Sequence, residues 1–137
     1  GRRNHDEAAF WLRLLEGGLP MPRPAGPFVI LGQTSLDAMD GDGRPEALRG
    51  LLAHPALQDP QPRGDHGRVD PGQAGDAALD TALYDGLGGL RVSVILPSAD
   101  LAVRDAAVLW PPDSDPMAAT RAAASRHSPI WVDLALP

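Results

Sequence analysis

Leu90-Arg91-Val92-Ser93-Val94-Ile95-Leu96-Pro97 is the stretch on which the fold turns. Side chains of an extended chain point alternately to its two sides, so Leu90, Val92, Val94 and Leu96 share one face and Arg91, Ser93 and Ile95 the other. The first face is wholly aliphatic. The spacing therefore predicts a strand over 91–96 with one side in a core, ended by Pro97, which has no N–H to give to a ladder.

Two further strands follow from the same reasoning. Phe28-Val29-Ile30-Leu31 is a short apolar run bounded by Pro27 and Gly32, which reads as a buried strand over 28–31. After Pro129, the residues Ile130, Val132, Leu134 and Leu136 fall on one face, giving a strand over 130–135. Residues 101–110 form another, bent at Arg104-Asp105.

Helical spacing alternates with these strands. Asn4 and Glu7 make an N-x-x-E start, followed by Ala8, Trp11 and Leu15 with Phe10 and Leu14 beside them, and Gly17-Gly18 supplies the stop. Pro45 fits the first turn of a short helix reaching Ala53, weakened by Gly50 and closed by Pro55. Asp76 reads as the cap of a third helix, with Leu79, Ala82 and Leu83 on one side and Gly86 at its end. Asp115 caps a fourth, with Pro116 at its first position and Met117, Arg121 and Ala124 along it. The order α-β-α-loop-α-β-β-α-β predicts an α/β or α+β fold: one domain over 1–137, with a mixed sheet of three to five strands covered by helices.

The loop is residues 55–75. Its prolines and glycines interrupt regular structure, and Leu57 and Val69 are its only large apolar side chains. It reads as slack on the surface, unable to offset its own ordering entropy and dispensable for folding.

Composition narrows the function. The chain has 137 residues, all its basic side chains are arginine, and it has no cysteine, which removes Schiff-base, thiolate, disulfide and Cys-metal chemistry. Such usage resembles a high-GC coding sequence and points to a bacterial source. A net charge of −6 with scattered arginines argues against sequence-independent nucleic-acid binding. No apolar run approaches the ~20 residues of a membrane span, and a cytoplasmic protein is expected.

Individual motifs point to little chemistry. Asp37, Asp40 and Asp42 with Gly41 and Gly43 suggest calcium, but Ala38 and Arg49 stand where such a loop needs its first and twelfth ligands. His5, His54, His66 and His127 never pair at i,i+4. Ser98-Ala99-Asp100 follows a strand but reads as an ordinary turn, outside any nucleophile elbow. Gly86-Leu87-Gly88-Gly89 precedes a strand, whereas a phosphate cradle follows one and opens a helix.

The aromatic residues remain. Phe10, Trp11, Trp110 and Trp131 are the candidate partner-binding residues, because tryptophan is enriched at binding hot spots. The expectation is a non-catalytic interaction or accessory protein acting through an apolar surface, with no cofactor, metal or catalytic group. Its partner is another protein or a second copy of itself. The alternative is a small enzyme or ligand-binding domain in which Ser98, Asp100 and the 37–42 loop meet in one pocket with a histidine. A third is a structural subunit of a phage or secretion machine. No motif places the chain in a family.

Overall fold

In the computed structural model, which describes residues 2–136, helices and strands alternate as a mixed α/β chain. The elements are α1 (Arg2–Glu16), β1 (Val29–Gln33), α2 (Glu46–Leu52), β2 (Ala82–Tyr84), β3 (Gly88–Leu90), β4 (Ser93–Pro97), β5 (Ala102–Val108), α3 (Met117–Ala124) and β6 (Ile130–Ala135). A 3-10 turn, Ala77–Leu79, precedes β2.

The strands do not form the expected single mixed sheet. Among the described residues they make three antiparallel pairs, β1 with β4, β2 with β3 and β5 with β6. The cause lies partly at Arg91-Val92. The Thr81 hydroxyl accepts the N–H groups of both Val92 (2.9 Å) and Ser93 (3.1 Å), so the chain leaves the β2–β3 hairpin there and enters a different sheet. The alternation nevertheless holds through the break. Leu90, Val92, Val94 and Leu96 are all buried, while Arg91, Ser93 and Ile95 are partly exposed.

Two other boundaries differ from the sequence reading. Gly32 does not end β1; the strand runs through it to Gln33. Residues 76–86 do not form a helix. Asp76 caps as expected, its Oδ1 accepting the Ala78 N–H at 3.0 Å, but the chain makes only the 3-10 turn before extending. Gly86, at φ +79°, then sits in the turn of the β2–β3 hairpin.

α1 begins at Arg2, so Asn4 lies inside it rather than capping it, and its Nδ2 donates to the Ser35 carbonyl at 3.1 Å. The glycine stop is as expected: Gly17 takes φ +75° and the Gly18 N–H donates to the Arg13 carbonyl at 2.8 Å. α2 is Glu46–Leu52, and Gly50 has a packing role there. A Cβ at Gly50 would stand 3.0 Å from Leu12 Cδ1, so its absence lets α1 rest closely on α2. The Arg104 bend appears as a register shift between Val103 and Asp105 in the β5–β6 pair. Asp115 Oδ1 accepts the Met117 N–H at 2.8 Å at the start of α3.

Residues 55–75 are not slack. The Gln58 N–H donates to Pro97 O and the Ala99 N–H to Ala56 O, both at 2.9 Å, so this segment pairs with the C-terminal end of β4 on the side away from β1. Further on, the Val108 N–H donates to Arg63 O and the Asp65 N–H to Trp110 O, which binds the segment to β5. Asp40 fastens its end by accepting the N–H groups of Ala74 (2.7 Å) and Gly75 (2.8 Å). Apolar anchors are few here, and backbone hydrogen bonds to open strand edges order this strap instead. Leu57 joins Leu15, Ile30, Leu51, Val94 and Leu96 in the main core, and a second cluster is made by Ala82, Leu90 and Val92.

Candidate partner-binding groove

The ladder parity of β1 decides which of its backbone groups are free. The Ser98 N–H donates to Phe28 O and the Thr34 N–H to Val92 O, each at 2.8 Å. In an antiparallel pair such bonds recur at every second residue, so Phe28, Ile30, Gly32 and Thr34 turn their backbone groups to β4. Val29, Leu31 and Gln33 turn theirs outward, where no strand pairs with them among the described residues.

α1 lies across from this open edge. Between them is a recess of about 160 Å³, with Ala8, Ile30, Leu51 and Val94 at its apolar base and Trp11 and Gly32 at its sides. Gly32 is directly opposite Val94 in the ladder, and a Cβ built on it meets nothing within 4 Å. The missing side chain thus leaves room above Val94. The surface continues along α1 past Arg3, Asp6, Glu7 and Phe10. Phe10 and Trp11 are 41% and 39% exposed and meet edge to face with centroids 5.4 Å apart; Leu31 is 68% exposed. For large apolar residues this is substantial exposure.

The four aromatic candidates therefore separate. Phe10 and Trp11 flank the groove. Trp131, half-exposed on β6, lies outside its lining residues. Trp110 is 5% exposed and packed by His66 and Arg121, so it presents no broad face to a protein partner. The strand over 28–31 was legible in the sequence but its open edge was not: a four-residue apolar run carries no sign of which edge will stay unpaired.

The other candidate groups are held in structural roles and do not meet. Ser98 is buried, its Oγ accepting the Phe28 N–H and donating to Asp100. Asp37 accepts the N–H groups of Met39, Asp40 and Arg91. Asp40 and Asp42 line a different cleft from Ser98 and Asp100, and neither cleft contains a histidine. His5 bonds Asp6 on α1, His54 Nδ1 accepts the Ala56 N–H, and His127 faces Tyr84, so the imidazoles are dispersed. Beside the Asp40 cleft, Asp80 is 2% exposed, and its pKa is pushed up to about 7. Burial is the main cause, with Asp37 and Asp40 adding to it, and the Gln73 Nε2 bond at 2.7 Å opposes it.

No known protein family, curated protein or solved structure matches this chain.

Proposed function

We propose that the protein is a non-catalytic interaction module that takes an extended segment of another protein beside β1. The observation that carries the reading is the open edge of Val29, Leu31 and Gln33 next to Trp11 and the recess at Gly32. A polypeptide laid along that edge gains main-chain hydrogen bonds for affinity, and its alternate side chains enter the recess for specificity. Exposed edges are usually blunted by charge, proline or a bulge, yet residues 29–33 carry none of these. An edge kept uncharged and flanked by exposed aromatics suits a partner better than solvent. The enzyme alternative loses support because Ser98, Asp100 and the 37–42 loop do not converge.

The test is selection of binders from a displayed library of extended peptides, followed by amide exchange of the complex. The best binder should protect the N–H groups of Val29, Leu31 and Gln33. Gln33→Pro removes one outward donor without touching the β4 ladder and should weaken binding, as should Trp11→Ala. Peptides that bind both variants unchanged would refute the reading. A chain that pairs with itself at β1, seen as a concentration-dependent dimer in sedimentation, would replace the foreign partner by a second copy.

A further inference from the structure

Two guanidinium groups converge on the ring of Trp110. Arg121 Cζ lies 4.4 Å from the ring centroid and Arg68 Cζ 5.5 Å. Among the described residues neither has a carboxylate within ion-pair reach, although the chain is rich in aspartate. Arg121 donates through Nη1 to Ser128 Oγ at 3.0 Å, but its Nε is buried with no acceptor. Burial, and then the nearby Arg68, hold the Arg121 pKa below the usual arginine range. His66 leans on the same ring, its centroid 4.6 Å away and its plane tilted by 45°. Its Nδ1 accepts the Arg68 N–H, which leaves the proton on Nε2, where the neighbouring Ala77 carbonyl does not reach hydrogen-bond geometry. Like charges thus share a partly desolvated place with donors left over. Such a place suits an anion.

A cavity of about 300 Å³ opens beside these groups, lined by Trp110, Pro111, Asp113, Ala118, Arg121 and Ala122. We propose that this cavity binds a small monocarboxylate with an apolar body. A guanidinium matches the oxygens of a carboxylate, and a negative charge held there would ease the repulsion between Arg121 and Arg68. The α3 alanines and Pro111 offer an apolar wall to the rest of the ligand. Asp113 at the exposed rim adds one negative charge, and the apolar wall gives a strongly hydrated dianion such as phosphate nothing in return for its lost water, which favours a weakly hydrated monocarboxylate.

The experiment is an NMR titration of the whole chain with benzoate, acetate and inorganic phosphate. Benzoate should shift the Trp110 indole N–H and the amides of 118–122 saturably, and acetate should bind several-fold more weakly. Phosphate should leave those signals in place. Arg121→Gln should abolish the benzoate response. Asp113→Asn, on the exposed rim, should tighten benzoate several-fold and admit phosphate. The proposal fails if benzoate never saturates, if phosphate matches it in the parent chain, or if Arg121→Gln responds like the parent. Should Arg121→Gln not fold, Asp113→Asn decides the matter, because unchanged affinities there overturn the assignment.

Discussion

Arg91 grips Asp59 across 32 residues of chain, Nη1 donating to Oδ2 at 2.8 Å and Nη2 to Oδ1. Both side chains are only 13% exposed, so this is a nearly buried two-point ion pair that ties the 55–75 strap to the chain entering β4. Asp59 Oδ1 also accepts the Gln61 N–H at 3.1 Å, where Gln61 adopts φ +50°. The pair and a left-handed turn are thus held by one carboxylate.

Arg91→Met should therefore destabilise the protein by about 3 kcal/mol, because the nearly buried Asp59 charge loses its partner. Adding Asp59→Asn should recover part of that loss, since asparagine keeps an acceptor for Gln61 and removes the orphaned charge. Urea denaturation of both single variants and the double variant measures the coupling.

Replacing 56–66 by a short Gly/Ser linker should abolish cooperative unfolding in calorimetry. The change withdraws Leu57 from the main core, a loss of ~2–5 kcal/mol for such a side chain. It also removes the hydrogen bonds that the strap makes at the C-terminal ends of β4 and β5. A total stability of ~5–15 kcal/mol leaves little margin for both. A linker variant that melts like the parent would return the segment to slack.

The strap also marks where local reading stops. β4 was legible because burial imposed a period of two on consecutive residues, and α1, the Arg104 bend and the Asp115 cap were legible for similarly local reasons. The strap's order rests on isolated bridges, Leu57 to Ser98 and Arg63 to Ala107, which need no side-chain pattern. Residues 76–86 were misread because Leu79, Ala82 and Leu83 satisfy helical spacing. Their pairing with Gly88–Leu90 depends instead on a glycine turn further along. Of the candidate site, Phe10 and Trp11 were visible as a crowded helix face. The free edge beside them was not, since an open edge is fixed by the strands that fail to arrive. Trp110 stayed among the partner-binding candidates because nothing nearby in sequence announces His66 or Arg121.

Asp80 should give the protein a pH-dependent stability. In the unfolded chain it ionises near the ordinary carboxylate pKa of about 4, whereas in the folded chain it does so at about 7. Between those values the folded state holds a proton that the unfolded state has released. Stability therefore falls as pH rises from about 4 to 7, by up to ~4 kcal/mol, and levels off above. Asp80→Asn keeps the acceptor for Gln73 and cannot ionise. It should flatten that part of the curve and exceed the parent in stability at pH ~8, as read from urea midpoints across pH.

Leu31→Lys should change folding stability by no more than ~0.5 kcal/mol, because the side chain is already exposed. The same change should make β1 a poor template for a second strand, since edge lysines oppose pairing. Thermal melts and peptide affinity measured on one preparation separate the two effects. A large loss of stability would mean that Leu31 supports the fold rather than a partner.

The pairing of β1 with β4 also governs how the chain comes together in time. Phe28 and Ser98, joined by backbone and hydroxyl bonds, are 70 residues apart. β1 therefore has no partner on either side until some 70 further residues have been made, and forming its ladder requires closing a long loop first. Non-local contacts of this kind slow folding. During synthesis the apolar run 28–31 emerges about 70 residues before its partner and waits, exposed along both edges. The period before β4 arrives is when the chain is most open to misassociation, and a chaperone or an early-binding partner would act there.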